Sequence, residues 1–596
     1  MEKKYIAILD FGSQYTHLIA RRIRQLGVLA KIYSPDVEES VLKESWGIIL
    51  SGSPKSVYQE KIPYNPVIFK LKKPLLGLCY GHQLMAYYLG GKVGKGDTKE
   101  YGEAKIKISK SKIFQGLKKE EVVWMSHGDY VSKLPAGFKL VGKSRDCAVS
   151  AMADEKNKRY GFQFHPEVFH TKNGQKIISN FVFSICEAQK NWNAADLKDQ
   201  IIKDIKEQAK DKKVFLLVSG GVDSTVAYAL LEKALGKERV YGFHVDTGFM
   251  RLNESAKVKK GLAEAGFKDL KVYDASGRFM RDLEGVAEPE EKRKIIGELF
   301  VTIANEEMRK LNIDEYLLGQ GTIYPDTIES GGTAHADKIK THHNRVDLIQ
   351  EMIKKGRIIE PLKDLYKDEV RALGRSLGLA EKLLERHPFP GPGLAIRALC
   401  SMGREKVHRQ HEIEARINKL VAKYRLRAHV LPIKSVGVQG DERSYKHPVV
   451  LMGKANFKIL NELSVLITNK VHQVNRVLYL VSAKNKKLIF RTKIAFLIKE
   501  RMNLLKQADD IVMNHIAKNK IDKEIWQFPS VLVPMGDRGE SLVLRPIESQ
   551  EAMTVNFYQM KKTVLQSLLK KIKKLKGIDY IFYDITNKPP GTIEWE

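Results

Sequence analysis

The chain is poor in cysteine: four residues among 596, Cys79, Cys147, Cys186 and Cys400, with no two spaced as CxxC. That spacing offers neither a disulfide framework nor a zinc site, and it points to a reducing compartment, the cytosol. No apolar run approaches the roughly 18–20 residues that cross a bilayer. The opening MEKKYIAILDFG enters a strand pattern at once, which argues against a secretory leader. Internal repeats and low-complexity tracts are absent as well. Acidic residues are outnumbered, 71 Asp+Glu against 102 Lys+Arg, for a net charge of +31. Such an excess raises the question of nucleic acid. Its distribution argues against that reading, because residues 1–190 carry +13, residues 191–400 only +1, and residues 401–596 +17. The basic residues are 74 Lys and 28 Arg, whereas bidentate reading of bases and phosphates favours Arg. A solubility or compositional trait explains the lysine at least as well.

What is present is a globular composition, 43% hydrophobic and 29% charged, with room for about three to four domains. YIAILDFG, WGIILSGSP and LLGLCYG are apolar runs that end in glycine and lead into helical or loop sequence. This alternation predicts an α/β domain with a mostly parallel sheet over 1–190, its site at the carboxyl ends of the strands. FVFSICEAQ reads as its last apolar helix. KVFLLVSGG, RVYGFHVD and DEYLLGQG repeat the pattern, so a second doubly wound domain is expected over 191–400, closing at the proline-rich HPFPGPGLAIR. The strand candidates KHPVVLMG, VLYLVSA, SLVLRPI and DYIFYDI lack glycine-rich ends, and 401–596 reads as an α+β domain. The lysine-rich KKIKKLKG is taken as a solvated helix face.

Gly77-Leu78-Cys79-Tyr80-Gly81 is a thiol version of a nucleophile elbow, in which small residues flank a side chain projecting from a strand-to-helix turn. A helix N-terminus favours the thiolate. Its proton partner is expected to be His165, at the end of the strand GFQFH, with Glu167 two residues on to orient the imidazole. A buried core cysteine and a strand-end histidine would look similar one at a time. The upstream SGSP loop adds a third feature, because Gly52 and the Tyr80 amide would together form an oxyanion hole. The other three cysteines lack such context and are read as structural.

Ser219-Gly220-Gly221-Val222-Asp223-Ser224-Thr225 follows an apolar strand directly and precedes a helix. Its two glycines let the backbone approach an anion, and the hydroxyls of Ser219, Ser224 and Thr225 with the following N–H groups can cradle phosphate. G-x-x-x-x-G-K-[ST] is absent there, so Walker-type γ-phosphoryl transfer is unsupported.

The elbow, histidine and SGSP loop resemble those of class I glutamine amidotransferases over about residues 5–188. The resemblance implies that Cys79 attacks the glutamine amide, His165 carries the proton, Glu167 holds His165, and Gln83 contacts glutamine. MSHGD, 125–129, matches that family's loop beside the site. SGGVDS is similar to the loop of ATP pyrophosphatases, which implies ATP as substrate, cleavage between the α and β phosphates, and Mg2+ held by Asp223. HVDTGFMR would then meet the nucleoside and GQGTIYPD would wall the pocket, while KIKTHHN, 338–344, would act as a lid. With EEKRKIIG, EPLKDLYKDEVRALG, RHPFPGPGLAIR, LPIKSVGVQGDERSY and KPPGTIEWE added, nearly the whole chain resembles the glutamine-hydrolysing GMP synthases. That family's activity implies XMP as acceptor and GMP as product, with XMP contacts carried onto Arg293, Arg397, Gln507, Lys588 and Glu594. The terminal TIEWE also reads as a docked last strand. A stretch of roughly 400–510 departs from the compact form of the family and resembles its extended eukaryotic-type form. Any homodimer contact is expected in the C-terminal domain. The rivals are a glutamine-dependent NAD synthase, whose nitrilase-type ammonia domain does not match Cys79, His165 and Glu167, and an RNA-binding, tRNA-modifying pyrophosphatase suggested by the charge.

Overall fold

Successive apolar residues in a strand point to opposite faces, so a run apolar at every position must be covered on both sides. This is what the first sheet shows. Ile6, Ile8, Ile49, Leu76 and Leu78 enter one apolar cluster, and Tyr5, Ala7, Leu9, Ile48, Leu50 and Leu75 enter another. Each of the leucine and isoleucine side chains contributes about 1.5–3 kcal/mol when fully buried, which makes this sheet the anchor of its unit. The computed structural model describes residues 4–58, 62–193, 197–324, 326, 352, 355–439, 442–485, 487–549 and 555–596.

The chain divides into two units, the first being Met1–Lys198 with Ile323–Thr341 and Lys363–Glu369. Its nine-stranded sheet places five parallel strands side by side: Ala30–Tyr33, Tyr5–Leu9, Ser45–Leu50, Leu75–Leu78 and Arg159–Phe162. Four antiparallel strands extend it, Ala151–Asp154, Lys139–Lys143, Lys92–Ile108 and Glu120–Lys133. FVFSICEAQ, expected as the last helix, is helical only as far as Ile185, as a π-helix over Asn180–Ile185 that continues the α-helix Gly174–Ser179, and the Asn180 amide donates to the Ile113 and Gln115 carbonyls. Residues 191–400 were expected to fold as one domain, yet parts of them belong to the first unit. The Arg24 guanidinium lies 4.5 Å from the Trp192 ring, 5.0 Å from Tyr324 and 5.2 Å from Tyr366, and it donates to the Asp364 carbonyl at 2.7 Å. One buried cation among three aromatic faces holds these segments.

The second unit contains Asp199–Thr322, His342–Leu362 and Val370–Glu596. It begins with a five-stranded, wholly parallel sheet in the order Lys271–Asp274, Val240–Asp246, Lys213–Leu217, Tyr316–Gly319, Ile358–Ile359. Chain order reverses beside Lys213–Leu217, which makes the end of that strand the topological switch point, where α/β sheets bind ligands. A mixed sheet follows, ordered Arg427–Val430, Glu442–Met452, Val474–Ala483, Ile578–Asp584, Glu540–Leu544, Ser530–Val533. A single apolar cluster runs from Phe215 and Phe243 through Leu505 and Val512 to Leu544 and Ile581, so both sheets share a core. The lysine-rich segment at 570–574 lies at the end of the helix Lys562–Ile572, with Lys570, Lys571, Lys573 and Lys574 exposed and Ile572 buried, as expected.

Candidate active sites

The elbow is built by steric necessity. Cys79 has φ 49°, in the left-handed region, between the strand Leu75–Leu78 and the helix Tyr80–Tyr88. A Cβ on Gly77 would stand 2.4 Å from the Gly81 carbonyl oxygen, and one on Gly81 would stand 2.5 Å from that of Leu50. Only glycine lets the helix start this close to the strand, and the strained thiol position depends on it. Cys79 is nearly buried; its Sγ lies 3.6 Å from the Ser126 carbonyl oxygen and accepts from Gln163 Nε2 at 3.6 Å.

His165 Nδ1 bonds Glu167 Oε1 at 2.8 Å, with both side chains buried. Burial alone would pull the imidazole down, but the Glu167 carboxylate and the hydrogen-bonded Cys79 side chain outweigh it and push His165 up to about 10. These neighbours favour the protonated imidazole. Tyr15 packs edge-on against this ring at 4.9 Å, and a Cβ on Gly52 would lie 3.5 Å from its Cε1. The structure therefore brings together Cys79, Tyr80, His165, Glu167 and the Gly52 loop. Gln83 is buried and donates through Nε2 to the Asp129 carbonyl at 2.8 Å and to Gln163 Oε1 at 3.1 Å. The segment 125–129, expected as a loop, lies within the strand Glu120–Lys133. Gln163 was missed in the sequence, although it stands two residues before His165 on the same face of an extended segment. Burial raises the thiols of Cys147, to about 11, and of Cys186 and Cys400, which disfavours their thiolates in the absence of a cationic partner.

In the second unit the loop Ser219–Gly221 leaves the strand at the switch point and enters the helix Val222–Leu235. Gly220 has φ +82°. Ser219 Oγ and Ser224 Oγ lie 3.0 Å apart, and the Gly221 N–H points at Ser219 Oγ at 3.3 Å, so the hydroxyls gather at the helix N-terminus. A Cβ on Gly321 would meet the Ser224 backbone at 3.1 Å, which sets the end of the strand Tyr316–Gly319 beside the loop. Of the expected wall GQGTIYPD, residues from Ile323 onward belong to the first unit. The expected lid, 338–344, lies outside the described residues. Arg386 donates to the Gly220 carbonyl at 2.6 Å and pairs with Glu254, and burial and the neighbouring Arg251 lower it to about 10. Arg251, from HVDTGFMR, lies 3.1 Å from Asp509.

The chain terminus reaches the same unit. Arg397, wholly buried, forms two bonds with Glu594, at 2.9 and 2.7 Å, and Glu594 also accepts from Gln527 at 3.1 Å. Burial works against the Glu594 charge, yet Arg397 holds its carboxyl below the ordinary value. Arg293 bonds the Glu596 carbonyl and Lys292 the Glu596 carboxylate. Lys588 pairs through its backbone with Val555, at 2.8 and 3.2 Å. Gln507 is exposed on the helix Lys499–Lys518, whose buried side carries Leu505 and Asp509. TIEWE is docked, though not as a strand. Arg476 and Arg545 donate to the Thr592, Ile593 and Glu594 carbonyls, while Trp595 Nε1 donates to Asp584 at 3.0 Å. Asp584 is buried between those two arginines, 2.9 Å from each.

Three family models match successive parts of the chain. Glutamine amidotransferase class-I matches residues 7–185, NAD synthase residues 194–327, and GMP synthase C terminal domain residues 415–489 and 514–595. The probable GMP synthase (glutamine-hydrolyzing) of Leptospira interrogans serogroup Icterohaemorrhagiae serovar copenhageni (strain Fiocruz L1-130) is 46% identical over 604 residues, covering 100% of this chain and 99% of that protein. This chain belongs to the glutamine-hydrolysing GMP synthase family. Members from Clostridium novyi (strain NT) and Aquifex aeolicus (strain VF5) are 44% and 42% identical, covering 98% of their own lengths but 81% of this chain. About a fifth of the chain is therefore additional to those GMP synthases and is shared in length with the Leptospira one. The NAD synthase match falls on the region of the SGGVDS loop, and the class I amidotransferase match removes a nitrilase-type ammonia source as the rival reading.

Proposed function

We infer that the chain is a ligase that makes GMP from XMP, with glutamine as the amido donor and ATP as the activating substrate. The observation that carries this is the presence, on one chain, of an assembled thiol, imidazole and carboxylate in the first unit and a phosphate loop at the switch point of the second. Cys79 attacks the glutamine amide carbon while His165 gives its proton to the leaving ammonia. The Gly52 and Tyr80 amides face the developing oxyanion, and Glu167 keeps His165 charged and oriented. Water then releases glutamate from Cys79. Gln83 and Gln163 shape the glutamine pocket.

In the second unit Ser219, Gly220, Gly221, Val222, Ser224 and Thr225 hold the pyrophosphate of ATP at the helix N-terminus. The XMP C2 oxygen attacks the α-phosphorus, pyrophosphate leaves, and ammonia displaces AMP. Asp223, in the first turn of that helix beside three hydroxyls, belongs to a hard oxygen donor set that fits Mg2+. When bound there, the ion would neutralise charge on the pyrophosphate. Arg293, Arg397, Lys588 and Glu594 are assigned to XMP, cations to its monophosphate and Glu594 to the purine edge, with Gln507 the outlying member. The functional divisions are 1–190, 191–400 and 401–596. A homodimer would form through the last, where Met402 and Ile494 are exposed apolar residues of the ribbon pairing Ser401–Met402 with Ile494–Ala495. Light scattering of Ile494→Asp checks this, and an unchanged mass would argue against that contact. No helix among the described residues is long and apolar enough to cross a membrane, and the cytosol remains the expected compartment.

The test is pyrophosphate release from ATP with a panel of acceptors, joined to Cys79→Ala. XMP should stimulate release, and Cys79→Ala should abolish synthesis from glutamine while leaving synthesis from ammonium. Stimulation by tRNA or a NAD precursor but not by XMP would overturn the reading. The tRNA alternative is already disfavoured by family membership and by the near-neutral charge of 191–400.

A further inference from the structure

Three side chains that the chemistry above leaves unused meet behind the glutamine pocket: Glu100, His127 and Cys147. Their ligating atoms all lie within 4.8 Å of one another, the single such group of His, Cys, Asp or Glu among the described residues. Glu100 and His127 face each other across the paired strands Lys92–Ile108 and Glu120–Lys133, and Cys147 comes from the turn between Lys139–Lys143 and Ala151–Asp154. Cys147 is wholly buried and the His127 and Glu100 side chains nearly so. No spacing in the sequence marks this trio, since three separate elements supply it.

The hydrogen bonds define which atoms are free to coordinate. His127 Nδ1 lies 3.1 Å from the Asp129 carbonyl oxygen, which can only accept, so Nδ1 carries the proton and Nε2 of the neutral ring presents a lone pair. That lone pair faces Glu100 Oε2 at 3.3 Å, which sets two acceptors against each other with a cation required between them. A tetrahedral ion with bonds of about 2.0–2.1 Å to nitrogen and oxygen separates those ligands by about 3.3 Å. Ser144 donates its hydroxyl to the Glu100 oxygens, at 3.1 and 3.3 Å, and receives the Cys147 N–H at 2.8 Å, so it orients two of the three groups. A carbonyl behind the imidazole and a hydroxyl behind the carboxylate are the outer contacts that metal ligands ordinarily have. A lone proton between Nε2 and Oε2 is the competing arrangement. Cys147 Sγ separates the two, because it adds a soft donor that a proton bridge does not use and a borderline-soft ion does.

We propose that Glu100 Oε2, His127 Nε2 and Cys147 Sγ bind one Zn2+. Binding converts the Cys147 thiol to thiolate and releases its proton to solvent, so affinity rises with pH. The ion braces the wall of the glutamine pocket. The Asp129 carbonyl that accepts His127 Nδ1–H also accepts Gln83 Nε2, and the Asp129 carboxylate takes the Ser56 and Tyr58 hydroxyls at 2.6 and 2.9 Å. Ser126, whose carbonyl lies against Cys79 Sγ, is the neighbour of His127 in the chain. The bracing role rests on the glutaminase reading, whereas the binding itself does not.

The experiment strips the full-length protein with a chelator and titrates it with Zn2+ against a chromophoric competitor, then with Co2+ followed by visible absorption. The expected result is one equivalent bound and a thiolate-to-cobalt charge-transfer band, absent in Cys147→Ser and retained in Cys79→Ala. Ser144→Ala, which keeps all three ligands, should weaken Zn2+ by about 10–100-fold. Thermal melts in metal-free buffer identify a variant that fails to fold, and Ser144→Ala then carries the test. No bound equivalent in the wild type leaves a proton as the bridge and overturns the proposal. So does a charge-transfer band that survives in Cys147→Ser, or an unchanged affinity in Ser144→Ala.

Discussion

Gly81→Ala tests whether the tight strand-to-helix turn is what makes Cys79 a nucleophile. The added Cβ would lie 2.5 Å from the Leu50 carbonyl oxygen and 2.6 Å from the Leu50 Cβ, where ordinary contact begins at 3.4 Å. The helix start and the strand end must therefore part by about 0.9 Å, at an overpacking cost of about 1–3 kcal/mol. Gly81 stands two residues beyond Cys79, and its N–H donates to the Ser51 carbonyl at 3.0 Å, so this displacement moves the thiol relative to the Gly52 loop. A misplacement near 1 Å costs about 100-fold in rate. The assay compares GMP formation from glutamine and from ammonium at saturating ATP and XMP. Glutamine-dependent kcat/KM should fall about 100-fold while ammonium-dependent synthesis is unchanged. Gly90→Ala is the control: Gly90 has φ +86° with nothing within 4 Å of a Cβ, so backbone strain alone should cost about 1 kcal/mol or more and leave glutamine use intact. Glutamine-dependent activity within twofold of wild type in Gly81→Ala would refute the reasoning, as would a parallel fall in both activities.

Glu167→Gln removes the larger of the influences that raise His165 to about 10 and leaves Cys79 alone against burial, so the alkaline limb of glutaminase activity should move to lower pH and kcat/KM should drop about 10²–10⁴-fold. Because the folded value is raised, the stabilisation is complete below about 6.5 and lost as pH rises through about 10, so the melting difference between wild type and variant should shrink across that window; a pH-independent difference or an unmoved limb speaks against it. Glu594→Gln strips the buried Arg397 of its ion partner, and the XMP concentration for half-maximal pyrophosphate release should rise at least about tenfold, with an unchanged value counting against the assignment. Asp584→Asn breaks the buried Arg476, Asp584, Arg545 cluster and should destabilise the second unit by about 3–5 kcal/mol in urea unfolding at pH 7. The two arginines overcome burial and hold Asp584 below its ordinary value, so this contribution is present above about pH 4 and is lost as pH falls through the folded value. Equal acid sensitivity of wild type and variant below pH 4 would contradict it.

Much of both sites was legible in the chain because it rests on local chemistry. A glycine on either side of Cys79, a proline and a glutamate after His165, and two glycines before Asp223 each define a backbone path within a few residues of an apolar strand. The central strands Tyr5–Leu9 and Leu75–Leu78 declared their burial by having no polar side chain inside them. The lysine excess declared nothing: its division among +13, +1 and +17 matches no site, and the Arg and Lys residues that matter are a few buried ones such as Arg397 and Lys292.

What the chain alone determined, then, was the pair of turns that present a thiol and a phosphate cradle, since glycine, cap and strand-end geometry are set by neighbours in sequence. Only the tertiary structure decided which distant groups meet them. Gln163 against Gln83 and Cys79, Arg397 against Glu594, the arginine pair that threads the C-terminal residues, and the docking of Tyr324 and Tyr366 around Arg24 all join separate elements of the chain. Glu100, His127 and Cys147 belong with them. Such contacts depend on sheet order and, for the residues on strands, on register: a one-residue slip would turn Glu100, His127 or Arg476 to the opposite face.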